Sequence, residues 1–113
     1  FNIYRVIKKN LVTEIFIFKT DADKRDKTIS VLKELQQEII EASNGSVKSV
    51  RTLVGASDEM TISQIYEWDD LDNAKRVNAL FFGFKSAASL QILNKENIFM
   101  GQLLEVENNK YSR

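Results

Sequence analysis

The chain has 113 residues, 43% of them apolar and 28% charged, which suits one globular domain with one core. Sixteen basic residues balance sixteen acidic ones, so nothing pulls the chain generally toward nucleic acid or an anionic membrane. There is no Cys and no His, which excludes disulfides, thiolate nucleophiles, Cys/His zinc sites, His-ligated haem and the Ser-His-Asp triad.

The alternation Phe1, Ile3 and Tyr4, Val6 within residues 1–7 suits an added strand, so residues 1–10 are expected to form an extra strand or arm before the main elements. Residues 12–19 (Val-Thr-Glu-Ile-Phe-Ile-Phe-Lys) are β-branched and aromatic, and the run Ile15 to Phe18 predicts a central strand buried on both faces. Asp21 or Asp23 can cap the next helix. From Lys24 to Ala42, apolar residues at Ile29, Leu32, Leu35 and Ile39 follow helical spacing, and Asn44-Gly45 is a stop signal.

Residues 47–54 predict a second strand and Gly55-Ala-Ser-Asp58 a turn. A third strand is expected from Met60 to Trp68, with Met60, Ile62, Tyr66 and Trp68 on one face and Gln64 as its polar interruption. Asp69-Asp70 can cap a second helix whose stripe is Leu71, Ala74, Val77, Phe81, Phe84 and Ala88. Residues 97–106 predict the last strand.

The order β-α-β-β-α-β is the split βαβ pattern, so the expected class is α+β, ferredoxin-like. Its antiparallel four-stranded sheet has strands one and three at the centre and two helices on one face. Two helices cover only one face, while the first strand is apolar on both. The second face therefore predicts a homodimer in which two sheets face each other, a dimeric α+β barrel. No apolar run approaches the ~20 residues that span a bilayer. No signal peptide is visible and the chain does not begin with Met, so Phe1 is read as a trimmed end. A cytoplasmic protein with neither nucleic-acid nor membrane partners is expected. The βαββαβ pattern is shared with RNA-binding domains, but no Lys/Arg-Gly-Phe/Tyr signature is present.

The stretch Ile62-Ser-Gln-Ile-Tyr66-Glu-Trp68-Asp-Asp-Leu-Asp-Asn-Ala74, followed by Phe81-Phe-Gly-Phe84, resembles the antibiotic biosynthesis monooxygenase-like domains. These are small dimeric α+β barrels in which a strand ends in a Trp-acidic turn and a helix with an aromatic cluster follows. The resemblance implies an oxygenase of aromatic or quinol-type substrates that uses no cofactor and no metal. Such a reaction needs chiefly an apolar pocket that holds an electron-rich substrate. Another branch of the family degrades haem, with a Trp matching Trp68 and a His where this chain has Asn78. That branch also uses a strand-one Asn with no counterpart in Ile15–Phe18. Haem degradation is therefore disfavoured.

The candidate catalytic residues are Trp68, Tyr66 and Asn78, and the candidate ligand-binding residues are Gln64, Phe81 and Phe84. The Trp68 indole can line a pocket floor and orient a substrate oxygen through its N–H, or it can simply close the core. Tyr66 can donate a hydrogen bond or a proton, or it can be a core tyrosine. Asn78 can face the pocket beside Phe81, or lie on a solvated helix face. Gln64 needs a partner if buried and can mark the pocket. Phe81, Phe82 and Phe84 cannot all face one side of a helix, and Gly83 among them points to a kink or a close backbone approach. Asp69, Asp70 and Asp72 are read as caps rather than cation ligands. A non-catalytic ligand-binding or regulatory protein on the same scaffold is the competing reading.

Overall fold

The structure, a computed structural model, describes residues 7–106, with side chains from residue 11 onward. The elements are β1 (Ile7–Lys19), α1 (Arg25–Ala42), β2 (Val47–Val54), β3 (Thr61–Trp68), α2 (Leu71–Asn78), α3 (Lys85–Leu93) and β4 (Glu96–Val106). The sheet order is β2-β3-β1-β4 with every neighbouring pair antiparallel, so β1 and β3 are central as expected. This is the ferredoxin-like α+β fold. Residues 7–10 of the expected arm continue β1, and residues 1–6 lie outside the described residues.

Period-two alternation divides β1 cleanly. Val12, Glu14, Phe16 and Phe18 are buried beneath the helices, while Thr13, Ile15 and Ile17 on the other face are half-buried. β3 repeats the pattern with Ile62, Gln64, Tyr66 and Trp68 buried. Met60, expected on this face, precedes the strand and is exposed. Val31, Leu32, Leu35 and Ile39 of α1, with Ile29 at the margin, complete one core with Ala74, Val77, Leu90 and Leu93.

Local chemistry sets the ends. Asn44 (φ 53°) and Gly45 (φ 86°) take the left-handed conformations that stop α1. At Gly55 a Cβ would meet the Asp58 carbonyl oxygen at 2.2 Å, so the turn into β3 requires glycine. Asp70 caps α2 by accepting from the Asn73 N–H at 3.3 Å. Asp69 instead accepts from the Ser46 hydroxyl at 2.6 Å and pairs with Lys48 at 3.2 Å. Neither Asp21 nor Asp23 supplies a side-chain cap, because a short 3-10 turn at Ala22–Lys24 leads into α1.

The second helix differs from expectation. One continuous helix through Ala88 would have to place Phe81, Phe82 and Phe84 around a single cylinder. The chain instead leaves α2 after Asn78, makes a 3-10 turn at Phe81–Gly83 and passes through an extended Phe84 (φ −75°, ψ 145°) into α3. This returns Phe81 and Phe84 to the core edge and turns Phe82 outward. Ala87, not Ala88, is buried on α3. Gly83 marks the kink, and nothing lies within 4 Å of where its Cβ would be, so no close approach explains it. Among the described residues there are thus three α-helices where two were expected.

α3 packs along α1, and a carboxylate joins them. Glu38 of α1 accepts from the Lys85 N–H at 2.6 Å, the Ser86 N–H at 3.0 Å and the Ser86 hydroxyl at 2.6 Å. Slight burial works to raise its pKa, but these bonds outweigh it and hold the carboxyl below the ordinary 4.5. The first free N–H groups of α3 are thereby satisfied from another helix.

Candidate functional site

The sequence-predicted residues of β3 form a buried polar chain. Gln64, Tyr66 and Trp68 are each 0% exposed. The Tyr66 hydroxyl donates to Gln64 Oε1 at 2.8 Å, and Gln64 Nε2 donates to the Leu32 carbonyl and to Thr52 Oγ1, each at 3.2 Å. Burial, and then the nearby Glu14 carboxyl, push the Tyr66 phenol above its ordinary 10, so Tyr66 is a neutral donor and a poor acid.

Glu14 is a buried carboxyl beside this polar chain that the sequence reading passed over. It lies opposite Tyr66 in the β1–β3 ladder and is 2% exposed. The Trp68 indole N–H donates to Glu14 Oε1 at 3.1 Å, and Gln102 Nε2 of β4 donates to Oε2 at 2.9 Å. Burial raises the Glu14 pKa from 4.5, and the bonds from Gln102 and Trp68 oppose the rise. The signal was available in the strand alternation, which puts Glu14 on the same face as Phe16 and Phe18. The Trp68 N–H is therefore committed to a carboxylate within the core.

An open space lies beside this chain. A cleft of about 180 Å³ sits between the sheet and the α1–α3 pair, lined by Phe16 and Phe18 of β1, Leu32 and Leu35 of α1, Phe81, Phe82 and Leu90. Gln91, Asn94, Asn97 and Met100 complete it at the β4 side. Phe16 is the dividing wall, lining the cleft while its ring meets Tyr66 edge-on at 6.0 Å. Leu32 is the other, since its carbonyl binds Gln64 and its residue lines the cleft.

Of the sequence-predicted site residues, Phe81 alone lines this cleft. Its ring stands edge-on to Phe82, with centroids 5.2 Å apart. Phe84 is half-buried against the core, and Asn78 is exposed at the end of α2. Gln64, Tyr66 and Trp68 meet each other, with Tyr66 and Trp68 ring centroids 6.4 Å apart, but none of them lines the cleft. The lining contains no ionisable side chain. Among the described residues no group of three His, Cys, Asp or Glu side chains could hold a metal ion, and no helix is long and apolar enough to cross a membrane.

Comparison with known proteins places the fold. No family model and no curated protein matches the sequence. Solved structures do match. A protein of Chloroflexus aurantiacus assigned as an antibiotic biosynthesis monooxygenase superposes with a TM-score of 0.69 at 16% identity, over 88% of this chain and 97% of that one. SnoaB of Streptomyces nogalater, a cofactor-independent oxygenase, gives 0.69 at 15% identity, over 92% and 99%. Protein SO0527 of Shewanella oneidensis gives 0.71 at 10% identity, over 90% and 97%. Likeness at these identities is likeness of fold, and the resemblance first read around Trp68 holds at that level: the chain has the fold of the antibiotic biosynthesis monooxygenase-like proteins.

Proposed function

We propose that this is a small monooxygenase-like protein that takes an aromatic or quinol-type molecule into the cleft between the sheet and α1–α3. The observation that carries the reading is the cleft itself, about 180 Å³ walled by four phenylalanines, Phe16, Phe18, Phe81 and Phe82. Aromatic walls favour a flat apolar ligand through burial and edge-to-face contacts. The match to a cofactor-independent oxygenase supports oxygenation. An electron-rich substrate supplies its own electrons to oxygen, so the protein's part is to hold it and exclude water. In such a step a ring CH₂ loses two hydrogens and gains one oxygen atom, while the second oxygen atom leaves with those hydrogens as water. Trp68, Tyr66 and Gln64 then act as positioning residues behind Phe16.

Anthrone is a suitable probe. Oxygen uptake above the uncatalysed rate, with one atom of isotopic oxygen in anthraquinone, is the expected result. Binding without oxygen uptake would instead establish the second reading, a non-catalytic ligand-binding protein. A specific observation favours that alternative, since neither an acid nor a base lines the cleft.

The same reading includes a homodimer. Ile15, Ile17, Ile65, Leu53, Phe99 and Leu103 lie on the sheet face that no described helix covers. A second sheet placed on them would bury a face of this kind with two-fold symmetry. Light scattering at micromolar concentration should give about twice the 13.0 kDa chain mass, and a clean monomer would reject the barrel.

A further inference from the structure

Phe82 lines the cleft while 79% of it is exposed, and Met100 on the β4 side of the same cleft is 53% exposed. The cleft therefore opens to water at an apolar rim. Phe82 belongs to the stretch between α2 and α3, where no residue from Asn78 to Lys85 is buried. The backbone bonds of this stretch are local: the Leu80 N–H donates to the Val77 carbonyl and the Gly83 N–H to the Leu80 carbonyl, each at 2.9 Å, and the Phe84 N–H to the Phe81 carbonyl at 3.1 Å. Its two flanks are held to the rest of the molecule. On the α2 side Ala74 and Val77 are buried and Arg76 Nη2 donates to the Ala42 carbonyl at 2.7 Å. On the α3 side Glu38 binds Lys85 and Ser86. A short stretch with local bonds and little burial, between two fixed ends, has low local stability. Gly83 fits that description and no other. Its φ is negative, a Cβ on it would have nothing within 4 Å, and it does not line the cleft. Neither sterics nor a left-handed backbone calls for glycine there, so what glycine adds is backbone freedom.

We infer that Phe82 is the lid of the cleft and that Gly83 is the hinge on which it closes over a bound ligand. This inference rests on the proposed reading of the cleft as an aromatic-binding site. Chemistry between oxygen and an electron-rich ring needs water kept out, and a cleft open between Phe82 and Met100 does not keep it out. Rotation at Gly83 lays the Phe82 ring across the ligand toward Met100. Both apolar side chains are then buried, and the Met100 thioether gains an aromatic ring to meet. Phe81, packed against the core, anchors the turn while Phe82 moves.

The test is the binding rate of α-naphthol, whose own fluorescence reports its surroundings, in stopped-flow mixing with the intact chain. A lid that closes after the ligand enters makes the observed rate level off as naphthol concentration rises, because closure and not encounter becomes limiting. Gly83→Ala should lower that plateau several-fold and leave the equilibrium affinity nearly unchanged. It should not lower the melting temperature, since the added methyl meets nothing and the backbone there suits alanine. Hydrogen exchange on the intact chain is a second readout that needs no variant: the Gly83 and Phe84 amides should gain protection when naphthol saturates the cleft. A rate that rises linearly throughout, or exchange at these amides that ligand leaves unchanged, overturns the lid and leaves the aromatic-cleft reading standing. A plateau that a folded Gly83→Ala does not move also overturns it, because the closing step then belongs to another element. If naphthol does not bind, the aromatic-cleft reading fails and the lid with it.

Discussion

The helix-covered face of the sheet behaves differently at its two ends. Around Val12, Glu14, Tyr66 and Trp68, α2 lies over the central strands, and the buried polar side chains are closed into bonds running from Gln102 through Glu14 to Trp68 and from Tyr66 through Gln64 to Thr52. Around Phe16 and Phe18, α3 stands far enough off to leave the cleft, and the Asn94 carbonyl oxygen has no partner. A satisfied polar network in a tight core fixes one structure, whereas open space lined by aromatics is what an apolar ligand needs. The residues most prominent in the sequence belong to the first kind of region and the cleft to the second.

The largest expected effect tests that division at the closed end. Trp68→Ala removes a fully buried indole and the donor to Glu14 Oε1. It should cost about 3–5 kcal/mol, read as a lower urea midpoint. If Trp68→Ala left stability nearly unchanged while abolishing ligand binding, Trp68 would belong to the site and the two ends would not be separable.

Glu14 sharpens the comparison through pH. Burial raises its folded-state pKa above the ordinary 4.5, against the bonds from Gln102 and Trp68. The folded state therefore holds the Glu14 proton in a window where the unfolded state has released it. This contribution to stability is complete below the unfolded value and is lost as pH rises through the folded one, with a slope of at most about 1.4 kcal/mol per pH unit. Glu14→Gln removes the titration, so its stability relative to the unmodified chain should improve between pH 4 and pH 7, as read from denaturant melts on both proteins. A difference independent of pH would mean that Glu14 is not desolvated as the geometry implies.

Most of the fold was legible because it rests on periodicity. The alternation in residues 12–19 and 62–68 and the spacing Ile29, Leu32, Leu35, Ile39 each state which face is buried, and the split βαβ order follows. The break between α2 and α3 was not legible, since Leu71, Ala74, Val77, Phe81 and Phe84 satisfy a helical stripe whether or not the helix is continuous. The cleft was expected beside Trp68 rather than beside Phe16 for a related reason. Trp68 and Tyr66 announce themselves by size, and size is what a core uses too. Asn94 and Asn97 look like loop residues, and only the helix end and the strand bulge bring them together. Glu14 was the exception, a buried carboxyl that strict alternation would have found.

The smallest expected effect on folding comes from the open end. Phe82 lines the cleft yet is 79% exposed, with its ring edge-on to Phe81. So large an exposed aromatic gains little for the fold, and Phe82→Ser should change stability by no more than about 0.5 kcal/mol. The cleft, however, loses one of its aromatic walls, so affinity for α-naphthol should fall several-fold, by about 1 kcal/mol for one lost aromatic contact. Melts and calorimetry on this variant give the mirror image of Trp68→Ala, in which stability collapses. Should Phe82→Ser destabilise the chain as much as a core truncation, Phe82 would be part of the packing and the open end would be smaller than the cleft suggests. Should it change neither quantity, the aromatic wall would play no part in holding a ligand, and the closed end around Trp68 would again be the better place to look.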